Sequence, residues 1–193
     1  LAEQRIAEVD GTINATVTKS FDRARAKAGD IDKAMDIQTS HAGWLAGLPI
    51  LVKDLNEVEG VRTTYGSTIF ADFIPKRSDA MVELLERRGA LVIGKSNTPE
   101  FGAGANTFND VFGATVNPWN TKMSVGGSSG GSAAALATGQ CWLATGSDFG
   151  GSLRTPAAFC GVVGMRPGPG RVPRAPTTLP FADLGVEGPM ART

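Results

Sequence analysis

The residues of this sequence that best suit catalysis by their type and spacing are serines set among glycines. Residues 124–132 read SVGGSSGGS, and residues 144–157 read ATGSDFGGSLRTPA. Consecutive glycines let backbone N–H groups converge on one point, and a following helix N-terminus adds positive potential there. In the second segment this arrangement suits Ser152 as a nucleophile beside an oxyanion hole. A tight strand-to-helix turn is the alternative interpretation.

A serine nucleophile needs a base, and the sequence offers two candidates. His41 is the only histidine and lies in a connector, so a surface or loop role is favoured for it. Lys53 directly follows the apolar run at 49–52. A lysine can act as a base if burial lowers its pKa, although lysines at strand ends are more often solvated. With one histidine and no cysteine cluster, no metal site is predicted.

A third segment matches a nucleotide-binding sequence pattern, but its residues do not favour the loop structure that the pattern requires. Residues 89–96, GALVIGKS, satisfy G-x-x-x-x-G-K-[ST]. The four variable residues are typical of a strand, whereas a phosphate loop needs an open turn. Nucleotide binding is therefore kept only as a minor alternative.

The composition is that of an ordinary globular chain. The sequence has 193 residues, 41% hydrophobic and 20% charged, with a formal net charge of zero. This length fits one domain, and the balanced charge predicts neither nucleic acid nor membrane as a partner. Cys141 and Cys160 lie in apolar stretches, so they are expected to be reduced and buried, as in a cytoplasmic protein.

Helical and strand patterns alternate along the chain and predict an α/β fold with a mixed or largely parallel sheet flanked by helices. Helices are predicted over 2–10, 21–37, 79–88 (capped by Ser78 and ended by Gly89), within 129–139 and after 152. Strands are predicted over 47–54, 90–94, 141–148 and 162–167. Residues 1–46 are expected to be a helical lead-in and 47–193 the core. No element is predicted beyond Pro167.

From residue 47 onward the chain resembles the amidase signature family. The motifs that carry the resemblance are GLPILVKD, GALVIGKSNTPEFG, NPWN, VGGSSGGSAAALATG, GSDFGGSLRTPAAFCGVVGMRP and GPMART. The resemblance implies the amidase signature fold, incomplete here, with residues 1–193 as a single amidase domain. Family members are considerably longer, so the chain is expected to be the N-terminal part of a longer enzyme.

The resemblance also implies a Ser-cisSer-Lys triad without metal or cofactor. The motif positions make Lys53 the base, Ser128 the bridging serine after a cis Gly127–Ser128 bond, and Ser152 the nucleophile. The oxyanion hole falls on the backbone amides of Phe149, Gly150, Gly151 and Ser152. Ser129, Asp148 and Arg154 fall on supporting positions. Phe149 and Arg166 depart from the residues most frequent at their positions.

The activity implied is hydrolysis of a carboxylic acid amide through an acyl-enzyme on Ser152. The expected partners are a small-molecule amide substrate and, as an option, a second copy in a homodimer. An alternative within the family is the glutamine-dependent amidotransferase subunit that frees ammonia from glutamine and needs further subunits. Thr155, where such proteins more often carry glutamine, favours the amidase. A non-catalytic binding protein is the alternative from another class.

Overall fold

The computed structural model describes residues 1–38, 43–177, 179 and 181–193. Its helices are α1 (Ala2–Ile13), α2 (Phe21–Gln38), α3 (Ala80–Arg87), α4 (Gly130–Ala137) and α5 (Arg154–Cys160). Its strands are β1 (Thr16–Lys19), β2 (Pro49–Lys53), β3 (Leu91–Ser96), β4 (Phe108–Asn109), β5 (Gly113–Ala114), β6 (Leu143–Asp148), β7 (Val163–Gly164) and β8 (Val186–Ala191). Short 3₁₀ turns span Thr68–Phe70 and Glu100–Gly102.

One sheet organises the described part of the chain, with strand order β1-β3-β2-β6-β8-β7. Its centre is parallel, because β2 pairs in parallel with both β3 and β6. β1 and β8 run antiparallel to their neighbours, so β2, β3, β6 and β7 share one direction. The predicted α/β class with a mixed, largely parallel sheet is confirmed.

Helices cover both faces of this sheet because its central strands are apolar on both sides. Leu51 and Ile93 pack with α1, α4 and α5 in one cluster. Ile50 and Val52 point the other way and pack against α3 in a second cluster. α4 is alanine-rich and buried from Gly130 to Leu136, so it lies close against the strands.

Two strands of this sheet were not predicted, and both are antiparallel. β1 lies inside the segment expected to be a helical lead-in, and it adds an edge next to β3. β8 lies between β6 and β7 although it contains Gly188 and Pro189, residues that argue against an interior strand. The strand predicted over 162–167 shortens to Val163–Gly164.

The start of α3 differs from the prediction in its capping residue. Asp79 occupies the N-cap position, so the expectation that Ser78 caps this helix is wrong. Ser78 Oγ instead accepts a hydrogen bond from the backbone of Glu59 at 2.9 Å. Gly89 follows the helix with φ +84°, as predicted for the residue that ends it.

Two further expectations concern the cysteines and the membrane. Cys141 and Cys160 are both free and buried, as predicted. Among the described residues, no helix combines the length and apolarity needed to cross a membrane.

Candidate active site

Lys53 lies at the carboxyl end of β2, where its side chain is completely buried. Its ammonium nitrogen Nζ lies 2.7 Å from Ser128 Oγ and 2.9 Å from each of Ser129 Oγ and Ser147 Oγ. Three hydroxyls from two different segments therefore surround one amine. The β2 backbone is anchored beside them, because Lys53 N donates to Thr145 Oγ1 at 3.0 Å.

Burial changes the protonation of this lysine. It lowers the pKa of Lys53 from 10.5 to about 7, while the negative charges of Glu187 and Asp148 act in the opposite direction. The three hydroxyl partners carry no charge that would compensate an ammonium group. Lys53 can therefore be neutral near physiological pH, which is the state that a general base requires.

Ser128 and Ser129 reach Lys53 because the glycine-rich segment runs close to other backbone. The Gly127–Ser128 peptide bond is cis, as the family resemblance implied. A Cβ atom at Gly127 would lie 2.9 Å from the backbone nitrogen of Asn106, so only glycine fits there. A Cβ atom at Gly146 would lie 2.8 Å from Ser129 Oγ.

Ser152 lies on the loop between β6 and α5, which Asp148 organises. The buried Asp148 carboxylate accepts hydrogen bonds from the amides of Gly151 and Leu153, at 2.9 and 3.2 Å. It also pairs with the guanidinium groups of Arg154 and Arg166. Burial alone would favour the neutral acid, but the Arg154 side chain and the two amides hold the pKa of Asp148 well below its usual range.

The expected oxyanion hole has one amide already in use. Gly151 N–H donates to Asp148, which leaves the amides of Phe149, Gly150 and Ser152 as the candidate oxyanion donors. The same loop is tied to the other serine segment, since Ser129 N–H donates to the Ser152 carbonyl at 3.2 Å.

One cavity of about 350 Å³ joins the two serine segments. Ser128, Ser147 and Ser152 all line it. Within the described residues, Ser152 Oγ has no hydrogen bond to Ser128. The structure thus brings Lys53, Ser128 and Ser129 into direct contact and places Ser152 at the wall of the same cavity.

Aromatic residues form another wall of this cavity. Tyr65, Phe101 and Phe149 line it, and Phe149 is 72% exposed. Tyr65 and Phe101 have φ angles of +53° and +51°, a conformation that non-glycine residues rarely adopt. They are linked by a hydrogen bond of 2.7 Å from Phe101 N to the Tyr65 carbonyl. Such backbone conformations persist only where the surrounding structure holds them in place, and they concentrate at functional sites.

Sequence reasoning did not identify Ser147 as a partner of Lys53. A signal was available, because ligand-binding groups gather at the carboxyl ends of parallel strands. Lys53 and Ser147 lie at or next to that end of β2 and β6, which are adjacent. Glu187 was missed because β8 was not predicted.

The other candidates from the sequence were a histidine base and a phosphate-binding loop, and no metal site was predicted. His41 lies outside the described residues. Lys95 of GALVIGKS is fully buried within β3, where it donates to Asp54 Oδ1 at 2.9 Å and Thr63 Oγ1 at 2.7 Å. A phosphate loop needs an open turn with an accessible lysine, so this segment is not one. The described residues contain no cluster of His, Cys, Asp and Glu suited to hold a metal.

The fold and this cluster define an α/β protein with a serine-lysine site at the carboxyl ends of parallel strands. The chain belongs to the amidase signature family, because the family model described as Amidase matches residues 2–193. It is similar to a glutamyl-tRNA(Gln) amidotransferase subunit from Thermosynechococcus vestitus, with 44% identity over 98% of the chain and 39% of that relative.

Solved structures with the same fold are also similar in sequence. A bacterial aryl acylamidase of the amidase signature family superposes with a TM-score of 0.90 at 35% identity, over 100% of this chain and 40% of that one. A protein from a vestigial complex, described in connection with the origins of an s-triazine catabolic enzyme, superposes with a TM-score of 0.89 at 41% identity, over 98% and 42%. The chain therefore spans about two fifths of the length of these relatives.

Proposed function

We propose that the protein hydrolyses a carboxylic acid amide to the acid and ammonia or an amine. The observation that carries this proposal is the buried Lys53 Nζ, 2.7 Å from Ser128 Oγ, at a cavity that Ser152 also lines. Neutral Lys53 takes the proton of Ser128, and Ser128 takes that of Ser152. The Ser152 oxygen then bonds to the amide carbonyl carbon, and loop amides drawn from Phe149, Gly150 and Ser152 stabilise the oxyanion.

The proton taken up by the relay is returned in the next step. Ser128 gives a proton to the leaving nitrogen as the carbon–nitrogen bond breaks, and Lys53 restores the Ser128 proton. An acyl group then remains on Ser152. A water molecule attacks this ester with the same relay as base, which releases the acid and regenerates the serine. No cofactor enters these steps.

A second candidate function is that of a glutamine-dependent amidotransferase subunit. The similarity to the T. vestitus protein favours it. Both candidates use the same proposed chemistry at Ser152, so they differ in the amide that is cleaved and in the need for partner subunits. Thr155, which follows Arg154 at the start of α5, is the residue that favours the independent amidase.

A fluorophosphonate probe tests the nucleophile in the intact protein. We expect covalent labelling of Ser152, and loss of labelling in Ser152→Ala. Ser124→Ala is the matched control, because Ser124 belongs to the glycine-serine segment but is exposed and bonds to Asn106. Labelling that persists in Ser152→Ala would refute the assignment.

Turnover separates the two candidates. An independent amidase should hydrolyse simple aliphatic or aryl amides without any partner. A protein that cleaves glutamine, and does so only when partner subunits are added, would favour the amidotransferase. In either case Lys53→Met should lower kcat/KM by roughly 10²- to 10⁴-fold, the usual contribution of general acid–base catalysis. A homodimer and a cytoplasmic location remain predictions.

A further inference from the structure

Glu187 is an acidic residue at the candidate site to which the proposed reaction assigns no role. It lies on β8, directly across from Ser147 of β6 in the register of the two strands. It lines the same cavity as Ser128 and Ser152. Its carboxylate oxygen Oε2 is buried and has no hydrogen-bond partner among the described residues.

The position across from Ser147 matters because cross-strand neighbours share one face of a sheet. Ser147 Oγ is one of the three hydroxyls that contact Lys53 Nζ. Glu187 therefore projects from the same face as the groups around the lysine. In the described part of the chain Lys53 and Glu187 form no direct ion pair, and the contacts of Lys53 Nζ are the three serine hydroxyls.

Charged and titratable groups face Glu187 and Lys53 from several elements. They are Lys53 on β2, Asp148 at the end of β6, Asp79 at the start of α3, Arg174 in the connection to β8, and Tyr65 on the cavity wall.

Most of these groups have partners of their own. Asp148 pairs with two arginines, and Arg174 is exposed and donates to the Gly185 carbonyl. Asp79 accepts from Asn56 at 3.1 Å, and burial raises its pKa. Tyr65 donates to Glu57. Glu187 is influenced by the charges of Lys53 and Arg174 and by Asn56, and its Oε2 atom accepts no hydrogen bond from the described residues.

We propose that Glu187 is a positioning residue that sets the proton affinity of Lys53 in the reaction. The proposal rests on the proposed function of Lys53 as base. When the Ser152 proton reaches Lys53 through Ser128, the buried amine becomes an ammonium ion. The Glu187 carboxylate stabilises that ion across Ser147, without taking up the proton itself.

The direction of the electrostatic effects agrees with this role. Burial lowers the pKa of Lys53, and the carboxylate of Glu187 is the largest influence in the opposite direction. Burial raises the pKa of Glu187, and the charge of Lys53 opposes that change. Each group therefore favours the charged form of the other in a site that disfavours both charges.

The test is the pH dependence of Ser152 labelling by a fluorophosphonate and of kcat/KM, in wild type and Glu187→Gln. Both rates should rise with pH as Lys53 loses its proton. In Glu187→Gln this rise should move to lower pH by about one unit, the effect typical of removing one neighbouring charge. At high pH kcat should fall about 10-fold, because the ammonium ion formed in the reaction is less stabilised.

Asp183→Asn is the matched control, since Asp183 is an exposed acid in the connection before β8. It should leave the pH profile in place. A profile that does not move in Glu187→Gln overturns the inference. If the Glu187→Gln variant does not fold, the same pH profile is measured for Glu187→Asp. This substitution withdraws the carboxylate by one methylene, so a smaller shift in the same direction is expected and an unmoved profile overturns the inference.

The outcomes distinguish this inference from the proposed function. If wild type is not labelled at Ser152 at any pH, the proposed function fails and the inference fails with it. If labelling of wild type follows the expected pH dependence and only the Glu187→Gln profile is unchanged, the proposed function stands and the role of Glu187 alone is refuted.

Discussion

Replacing Lys53 by Met should remove a pH dependence from the stability of the intact protein. Burial lowers the pKa of Lys53 from 10.5 to about 7. Between these values the unfolded chain holds the lysine protonated while the folded protein holds it neutral. The unfolded state then binds more protons, so the contribution of Lys53 to the free energy of unfolding increases as pH rises. The increase is about 1.4 kcal/mol for each pH unit and about 5 kcal/mol across the whole window.

Urea unfolding at about pH 7.5, 8.5 and 9.5 measures this effect in wild type and Lys53→Met. The difference in unfolding free energy should change by about 3 kcal/mol over this range, with wild type gaining as pH rises. Groups that titrate in both proteins cancel in the difference.

Lys122→Met is the control for this measurement. Lys122 is exposed and remains in water in both states, so its replacement should leave the pH dependence unchanged. Parallel stability profiles of wild type and Lys53→Met would show that the folded protein keeps Lys53 protonated. The argument for a neutral base would then be refuted.

Three further substitutions test other parts of the site. Asp54→Ala should lower the free energy of unfolding by about 3–5 kcal/mol, because it leaves Lys95 buried without its counter-ion; urea unfolding that shows under about 1 kcal/mol would contradict this. Phe101→Ala should raise KM for an aryl-substituted amide about 3- to 10-fold, with little change for an aliphatic one; equal effects on both would exclude an aromatic contact. Ser147→Ala should lower kcat about 10-fold at unchanged KM, since Lys53 loses one of its three hydroxyl partners; an unchanged kcat would argue against that contact.

The parallel half of the fold could be predicted from sequence because its strands are apolar on both faces. The runs that became β2, β3 and β6 are bounded by glycine or polar residues, and each lies near a helix with its own apolar side. The antiparallel strands β1 and β8 have no apolar run of this kind. β8 contains glycine and proline and owes its place to pairing with β6 over six residues, a tertiary effect that overrides local preference.

The site shows the same division. Lys53 and Ser152 could be proposed from the sequence, because a lysine after an apolar run and a serine after paired glycines are local patterns, whereas Ser128 was proposed only through the family resemblance. Ser147 and Glu187 are brought to the site by strand register, which depends on which strands are neighbours. The resemblance to a family supplied the roles, whereas the contacts among these residues required the structure.

The position of β8 has a consequence for how the protein acquires its site during synthesis. β8 is formed by residues 186–191, yet it fits between β6 and β7, which leave the ribosome earlier. Until β8 docks, the backbone edge of β6 that will pair with β8 is unpaired. Such an edge is prone to association with other chains. A nascent or truncated chain that ends before residue 186 should therefore aggregate more readily than one that extends past residue 191.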